Sequence, residues 1–448
     1  MKKIITIALI LALFVSCETG TKEKTVVISG TIENVDLDSV YIFNEGFRKS
    51  IAFENGKFKD TLTISQSAYF TFSAGRERTQ LFLKPGDNLT ISTDMEEFDE
   101  KLTYSGSAAN ENNFLAQKQL KEEALIYLDP NAFFSVEAPI FKSKLQELKS
   151  SQLDELKNIK VSKNFMEFEM KNIEFQYYML MAQYPVAHNY FTQNTIEMPA
   201  DFEEEMSHLD IDNEADFDAI PLYRSYVIYN YSQEIEKANS PKKTLSIISE
   251  IQSQKIKNAV MKNALLYNIS TGAEGAKDFH DFIQKNATDE DLKEESTKAF
   301  NSVQNVLPGK DSPKFNYPDI NGKQVSLDDL KGNLVYIDVW ATWCAPCLAE
   351  IPHLKKLDSN YKSQAIKFVS ISVDPKSDFD KWKNMVKDKE LQGIQLFSDK
   401  DWGSQFVLDY GIKGIPRFIL LDKEGKIITA NAPRPSDSQI RSLIDANL

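Results

Sequence analysis

The spacing of apolar residues changes twice along this 448-residue chain, and no single packed-layer architecture accommodates the three patterns. From about Thr25 to Thr103, runs such as "TVVISGTI", "SVYIF", "AYFTFSA" and "TQLFLKPGDNLTIS" are short and rich in β-branched and aromatic residues. Asn55-Gly56, between "IAFE" and "KFKD", is a two-residue hairpin signal, and Pro85-Gly86-Asp87 marks another turn. Five to seven strands in about 80 residues predict a small β-sandwich over residues 25–105. From about Ala108 the apolar residues recur at helical spacing, as in "NNFLAQKQLKEEALIYL" and "FMEFEMKNIEFQYYMLMAQYP", which predicts a helical domain over 106–306. The aromatic-rich stretch Phe165 to Tyr190 reads as the core of that domain rather than as a peptide-binding groove.

After Leu307-Pro308-Gly309 the pattern changes again. Strands are expected at Leu334–Val339 and Ile366–Val373, with a helix at about Ala345–Tyr361 between them. Further helices follow around Phe379–Val386 and Trp402–Tyr410. An antiparallel strand pair, Phe418–Leu421 and Lys426–Thr429, turns on Glu424-Gly425, and a last helix follows Ser436. Alternating strands and helices imply a mainly parallel sheet, an α/β domain over 307–448. The expected fold is therefore multidomain, as the length also requires, since one core rarely serves much more than about 250 residues.

The N-terminus reads as a targeting segment. Met1-Lys2-Lys3 is basic, and Ile4 to Val15 is almost unbroken apolar sequence, too short to span a bilayer, which takes about 20 residues. The run ends "LFVSCE". Residues 1–16 are expected to be a signal peptide and 17–24 a polar tether. The formal net charge is −14, which argues against a nucleic-acid partner. Residues 308–448 carry 20 basic and 19 acidic side chains, so the acidity belongs to the 32 basic and 47 acidic residues before them. A solvated surface accounts for it.

Three cysteines remain to be explained: Cys17, Cys344 and Cys347. A chain with one close pair has no disulfide framework. Cys344-Ala345-Pro346-Cys347 follows a buried strand and opens a helix. There the free N–H groups and the positive dipole end stabilise a thiolate, pulling its pKa down from about 8.5. Pro346 has no N–H to leave unpaired and presets φ for the first turn. The spacing lets Cys347 resolve a mixed disulfide formed on Cys344, which makes Cys344 the attacking thiol and Cys347 the more buried, resolving one. A structural zinc site would need about four ligands, and no second Cys pair is present. Two inert buried thiols are the remaining alternative. Asp338, inside the apolar strand, is costly there unless neutral or partnered. Glu350 lies one helical turn beyond Cys347.

"VYIDVWATWCAPC", with "GIPRFILLDKEGKII" further on, resembles the thioredoxin superfamily. "CAPCLAEIP" and the helical insertion before Gly414 are similar to its TlpA/ResA-like envelope thiol–disulfide oxidoreductases. The resemblance covers about Ser312 to Leu448 and implies a thioredoxin fold with no cofactor. It implies that Pro416, after Ile415, is a cis-proline beside the cysteines that presents backbone to an extended substrate, and that Trp343 is an apolar platform beside the attacking thiol. It implies that Asp338 exchanges a proton with Cys347, although many TlpA/ResA-like proteins carry another residue there, and that Glu350 tunes the thiols. "LFVSCE", with Phe14-Val15-Ser16 leading to Cys17, resembles a lipobox, which implies a lipid on Cys17 and a membrane anchor. "FLKPGDNLTI" and its strand rhythm resemble the β-domain that precedes thioredoxin-like modules in envelope lipoproteins. The expected location is the envelope of a Gram-negative bacterium, with the redox domain facing the periplasm.

The expected function is disulfide exchange on protein clients. Two alternatives stand beside it, a non-catalytic scaffold lipoprotein and a thiol peroxidase. A peroxidase would need a "PxxxTxxC" arrangement, and Thr342 is only two residues before Cys344. Direction rests on Ala345 and Pro346. A histidine between the cysteines makes an oxidant near about −120 mV, whereas its absence favours a low-potential couple, as in thioredoxin at about −270 mV. A reductase in an oxidising compartment requires an upstream membrane electron donor.

Overall fold

The computed structural model describes residues 25–238 and 240–448, so the leader, the tether and Cys17 lie outside the described residues. The described chain forms two compact units. One comprises residues up to Ile211 with Ala215–Tyr226, the other Asp212–Glu214 with Val227–Leu448.

In the first unit eight strands make one sheet: β1 (Thr25–Glu33), β2 (Ser39–Asn44), β3 (Phe47–Glu54), β4 (Lys57–Thr63), β5 (Ala68–Ala74), β6 (Glu77–Leu83), β7 (Asn88–Asp94) and β8 (Thr103–Gly106). Their order is β6-β5-β2-β3-β4-β1-β7-β8. Strand β3 pairs with β2 along Phe47–Ala52 and with β4 only at Phe53 and Glu54, so it carries the sheet from one half to the other. Both halves contribute to a common core, including Ile28, Ile42, Phe72 and Ile91. Strand β8 exceeds the five to seven expected. It has four residues and one buried side chain, Tyr104, too few to show a two-residue period. Helices follow at Ala109–Glu122, Ala138–Asn158 and Lys163–Thr192. The last of these buries Phe165, Phe175, Tyr177, Tyr178 and Tyr184 and leaves Tyr190 exposed. Tyr69 of β5 donates to the buried Glu169 of this helix (2.6 Å), which also pairs with Lys118.

The second unit contains helices at Gln254–Ser270, Ala276–Asn286 and Glu290–Val303, then a two-stranded ribbon, β9 (Asn316–Pro318) and β10 (Gln324–Ser326). A five-stranded sheet follows: β11 (Leu334–Trp340), β12 (Ile366–Ser372), β13 (Ile394–Phe397), β14 (Arg417–Leu421) and β15 (Ile427–Thr429), in the order β13-β12-β11-β14-β15. The β11–β12 and β12–β13 pairs are parallel, and β14 is antiparallel to both β11 and β15. This is the thioredoxin fold. Central strand β11 is buried at every position, which is why it reads as a continuous apolar run. Its odd residues Val335, Ile337 and Val339 share a core with Cys344 and Cys347. Leu334 and Tyr336 face the other way, against Leu357 of the Ala345–Asn360 helix and Ile440 and Ile444 of the Gln439–Asp445 helix. By the two-residue period Asp338 belongs to that second face.

Two local readings need correction. The β13 edge strand was not expected, because four residues fixed by pairing with β12 carry no alternation of their own. The expected Trp402–Tyr410 helix is broken into a 3₁₀ turn, Asp401–Gly403, and a helix, Gln405–Asp409, with Asp401 at a left-handed φ of 46°. The sequence break at Leu307 is also not a break in packing, since Val303 and Val306 belong to the same core as Val339 and Cys347.

Candidate active site

The turn that leaves β11 is closed by the Cys344 N–H donating to the Ala341 carbonyl (3.1 Å). Cys344 is the N-cap of the Ala345–Asn360 helix, and its Sγ accepts the Cys347 N–H at 3.2 Å. The sulfur thus occupies the position where a helix end leaves donors unpaired, which is where a negative charge on sulfur is stabilised. Cys344 and Cys347 are joined as a disulfide, with Cα atoms 5.3 Å apart. Ala345 and Pro346 fill the exposed first turn. The expectation that Cys347 is the more buried sulfur is corrected: both residues are 4% exposed. In the bonded pair Cys344 caps the turn that contains Cys347, so one covering serves both.

The surface beside the disulfide is apolar. Trp343 is 51% exposed, and its ring centroid lies 6.5 Å from that of Trp402. The Ile415–Pro416 peptide bond is cis, and both residues are half-buried. Arg417, the next residue, pairs across the sheet with Val339, and its buried guanidinium donates to the Thr271 carbonyl at the end of the Gln254–Ser270 helix. Burial lowers the Arg417 pKa from its usual value.

Asp338 is 9% exposed and sits opposite Ser370 of β12, whose hydroxyl donates to it at 3.4 Å. Burial pushes its pKa up to about 7, the Ser370 hydrogen bond opposes the shift and the charge of Glu350 adds to it. A buried carboxylic acid with that value gives and takes protons near neutral pH. It lines a small cavity of about 20 Å³, shared with Trp340, Ser370 and Gln395, about the room one water needs. Glu350 is not a solvated helix carboxylate. It is buried, and its two oxygens accept the Ser436 backbone N–H (3.0 Å) and hydroxyl (2.8 Å). Asp338 therefore feels the charge of Glu350 as a minor contribution, and each carboxyl has its own hydroxyl partner.

Sequence reasoning passed over Ser370, Ser436, Arg417 and Asp374. Asp374 is fully buried just beyond β12 and accepts from the Thr342 N–H and hydroxyl in the turn before Cys344. One signal was present: a carboxylate closing the apolar run "FVSISVD", as Asp338 interrupts "VYIDVW".

The Redoxin family matches residues 307–444. The thiol–disulfide oxidoreductase ResA of Bacillus cereus is 33% identical over 129 residues, covering 29% of this chain and 72% of that protein. ResA of Bacillus subtilis is 28% identical over 146 residues, covering 33% of this chain and 79% of that protein. Among solved structures, the thioredoxin domain of a thiol–disulfide oxidoreductase from Bacteroides vulgatus is 28% identical, with 32% of this chain and 99% of that one covered and a TM-score of 0.29.

Proposed function

The chain belongs to the TlpA/ResA-like thiol–disulfide oxidoreductases, and from that premise we propose that it reduces disulfides of cell-envelope proteins. The observation that carries the reading is the Cys344–Cys347 disulfide at a helix N-terminus, with Cys344 Sγ capping the Cys347 N–H.

In the reduced enzyme the Cys344 thiolate attacks one sulfur of a client disulfide. The client S–S bond breaks, its second sulfur leaves as a thiolate and takes a proton, and a Cys344–client disulfide forms. Cys347 then gives its proton to Asp338 and attacks Cys344 Sγ. The client's remaining thiolate departs, and the Cys344–Cys347 disulfide forms. Two electrons have passed to the client, and an upstream membrane donor returns them to the pair. Trp343, Ile415 and Pro416 supply the surface on which an extended client segment lies. Glu350 acts on the thiols through Asp338. The Ala345-Pro346 pair contains no histidine to stabilise the thiolate further, which supports the reductive direction. A lipid on Cys17 would hold the chain at the membrane, with the redox unit in the periplasm, and no nucleic acid takes part.

An insulin-reduction assay on the full chain tests the reading. Wild type is expected to precipitate reduced insulin with dithiothreitol as electron source, and Cys344→Ser to fall to the dithiothreitol background. Equal rates for the two would refute it. Cys347→Ser is expected to accumulate mixed disulfides whose partners identify the clients.

A further inference from the structure

Asp374 has no exposed surface, yet it carries a carboxylate that enters no ion pair among the described residues. Its oxygens accept the Thr342 N–H (2.9 Å and 3.1 Å), the Thr342 hydroxyl (2.7 Å) and the Ser372 hydroxyl (2.7 Å). Every partner is a donor. A buried carboxylate is costly unless its oxygens are filled in this way, so the arrangement serves as a fixed anionic acceptor. It is also stitched to the turn from a second side, since the Val373 N–H donates to the Trp340 carbonyl at 2.9 Å.

Thr342 is the second residue of the four-residue turn Ala341–Cys344, closed by the Cys344 N–H to Ala341 O bond. A turn of this kind keeps its end residues within about 7 Å. Asp374 is bonded to Thr342, two residues before Cys344, and all three residues are buried, so its charge acts on the Cys344 sulfur through protein rather than bulk water. The helix N-terminus draws the Cys344 thiol toward the thiolate. A neighbouring anion opposes that. A couple whose dithiol form is stabilised through its thiolate is oxidising, and one whose thiolate is disfavoured is reducing.

We propose that Asp374 is a positioning residue of the redox site: it fixes the turn that presents Trp343 and Cys344, and its charge keeps the Cys344/Cys347 couple reducing. The proposal rests on the reductase reading above. It makes Asp374 a second determinant of potential, acting from outside the Cys-x-x-Cys motif.

The test is Asp374→Asn in the full chain, which removes the charge and keeps the shape. Two quantities are read: the pH midpoint of Cys344 alkylation by iodoacetamide, and the dithiol–disulfide equilibrium with glutathione. The midpoint is expected to fall by about one unit, and the equilibrium to shift toward the dithiol by five- to tenfold, ~20–30 mV at 29.6 mV per decade. A purely structural role would lower stability without moving both in this direction. Folded D374N protein with both values unchanged, or moved the other way, overturns the proposal. Thr342→Val and Ser372→Ala provide a second route, because each strips a donor and leaves the charge. Both are expected to raise the midpoint, and an unchanged or lowered midpoint in the two overturns the proposal even where D374N does not fold. An oxidising wild-type couple would contradict the reductase reading instead, and the D374N difference would still be measurable.

Discussion

Replacing Asp338 with asparagine makes the redox unit more stable at alkaline pH. The carboxyl pKa is pushed up to about 7 in the folded protein, against an ordinary 3.8. Between those values the folded chain holds a proton that the unfolded chain has released. Its stabilising contribution is complete below about pH 4, is lost as pH rises toward 7 and stays absent above it. Three units at 1.36 kcal/mol each set a ceiling of about 4 kcal/mol. Asparagine mimics the protonated acid and still accepts from the Ser370 hydroxyl. The stability difference between D338N and wild type should therefore start near zero at pH 4 and grow to a few kcal/mol in favour of the variant by pH 8. Acid-sensitive carboxylates elsewhere, such as Asp328, held near 2 by its Lys314 and Lys331 hydrogen bonds, are common to both proteins and cancel in the difference. The assay is urea unfolding of the oxidised chain followed by tryptophan fluorescence. All four tryptophans, Trp340, Trp343, Trp382 and Trp402, lie in the α/β domain, so the signal reports that domain alone. A difference that stays flat from pH 4.5 to 8.5, or a wild type more stable than D338N at pH 8, would refute the assignment of Asp338 as a buried, proton-holding acid.

Glu350→Ala leaves the Ser436 N–H without its acceptor and should cost about 1–3 kcal/mol by the same unfolding assay, while Glu350→Gln recovers most of it. A fragment of residues 307–448 loses Val303 and Val306 from its core and the Thr271 partner of Arg417. At about 1.5–3 kcal/mol per buried apolar side chain, it should melt well below a fragment beginning at 227, as calorimetry would read. Trp343→Ala removes a half-exposed ring, so stability should change by no more than about 0.5 kcal/mol while KM for a protein disulfide rises.

How legible the site was depended on whether the responsible forces were local. The Cys344–Cys347 pair, Pro346 in the first turn and the strand before them could be read because helix ends and buried strands each impose a short-range pattern. Asp338 stood out as a lone carboxylate in an apolar run. Its partner Ser370 did not, since only the β11–β12 register sets the two opposite each other. The spacing puts Glu350 one helical turn beyond Cys347, but its tether, Ser436, is 86 residues away, and nothing local announces the contact. The relative burial of the two sulfurs is not legible for a similar reason, because helix position alone does not reveal a shared covering. Strand β13 and the broken helix near Trp402 owe their form to neighbours and to one left-handed residue, Asp401. The Leu307-Pro308-Gly309 break marked the end of a helical pattern correctly, yet the valines just before it pack into the redox core.

On the proposed function, Cys344 and Cys347 form a low-potential couple that delivers electrons to client disulfides. Equilibrating the full chain against graded glutathione and dithiothreitol buffers, with the dithiol fraction read by alkylation, measures this directly. A potential below about −220 mV is the expected result, and one above about −180 mV, in the range of disulfide-forming enzymes, would contradict the account.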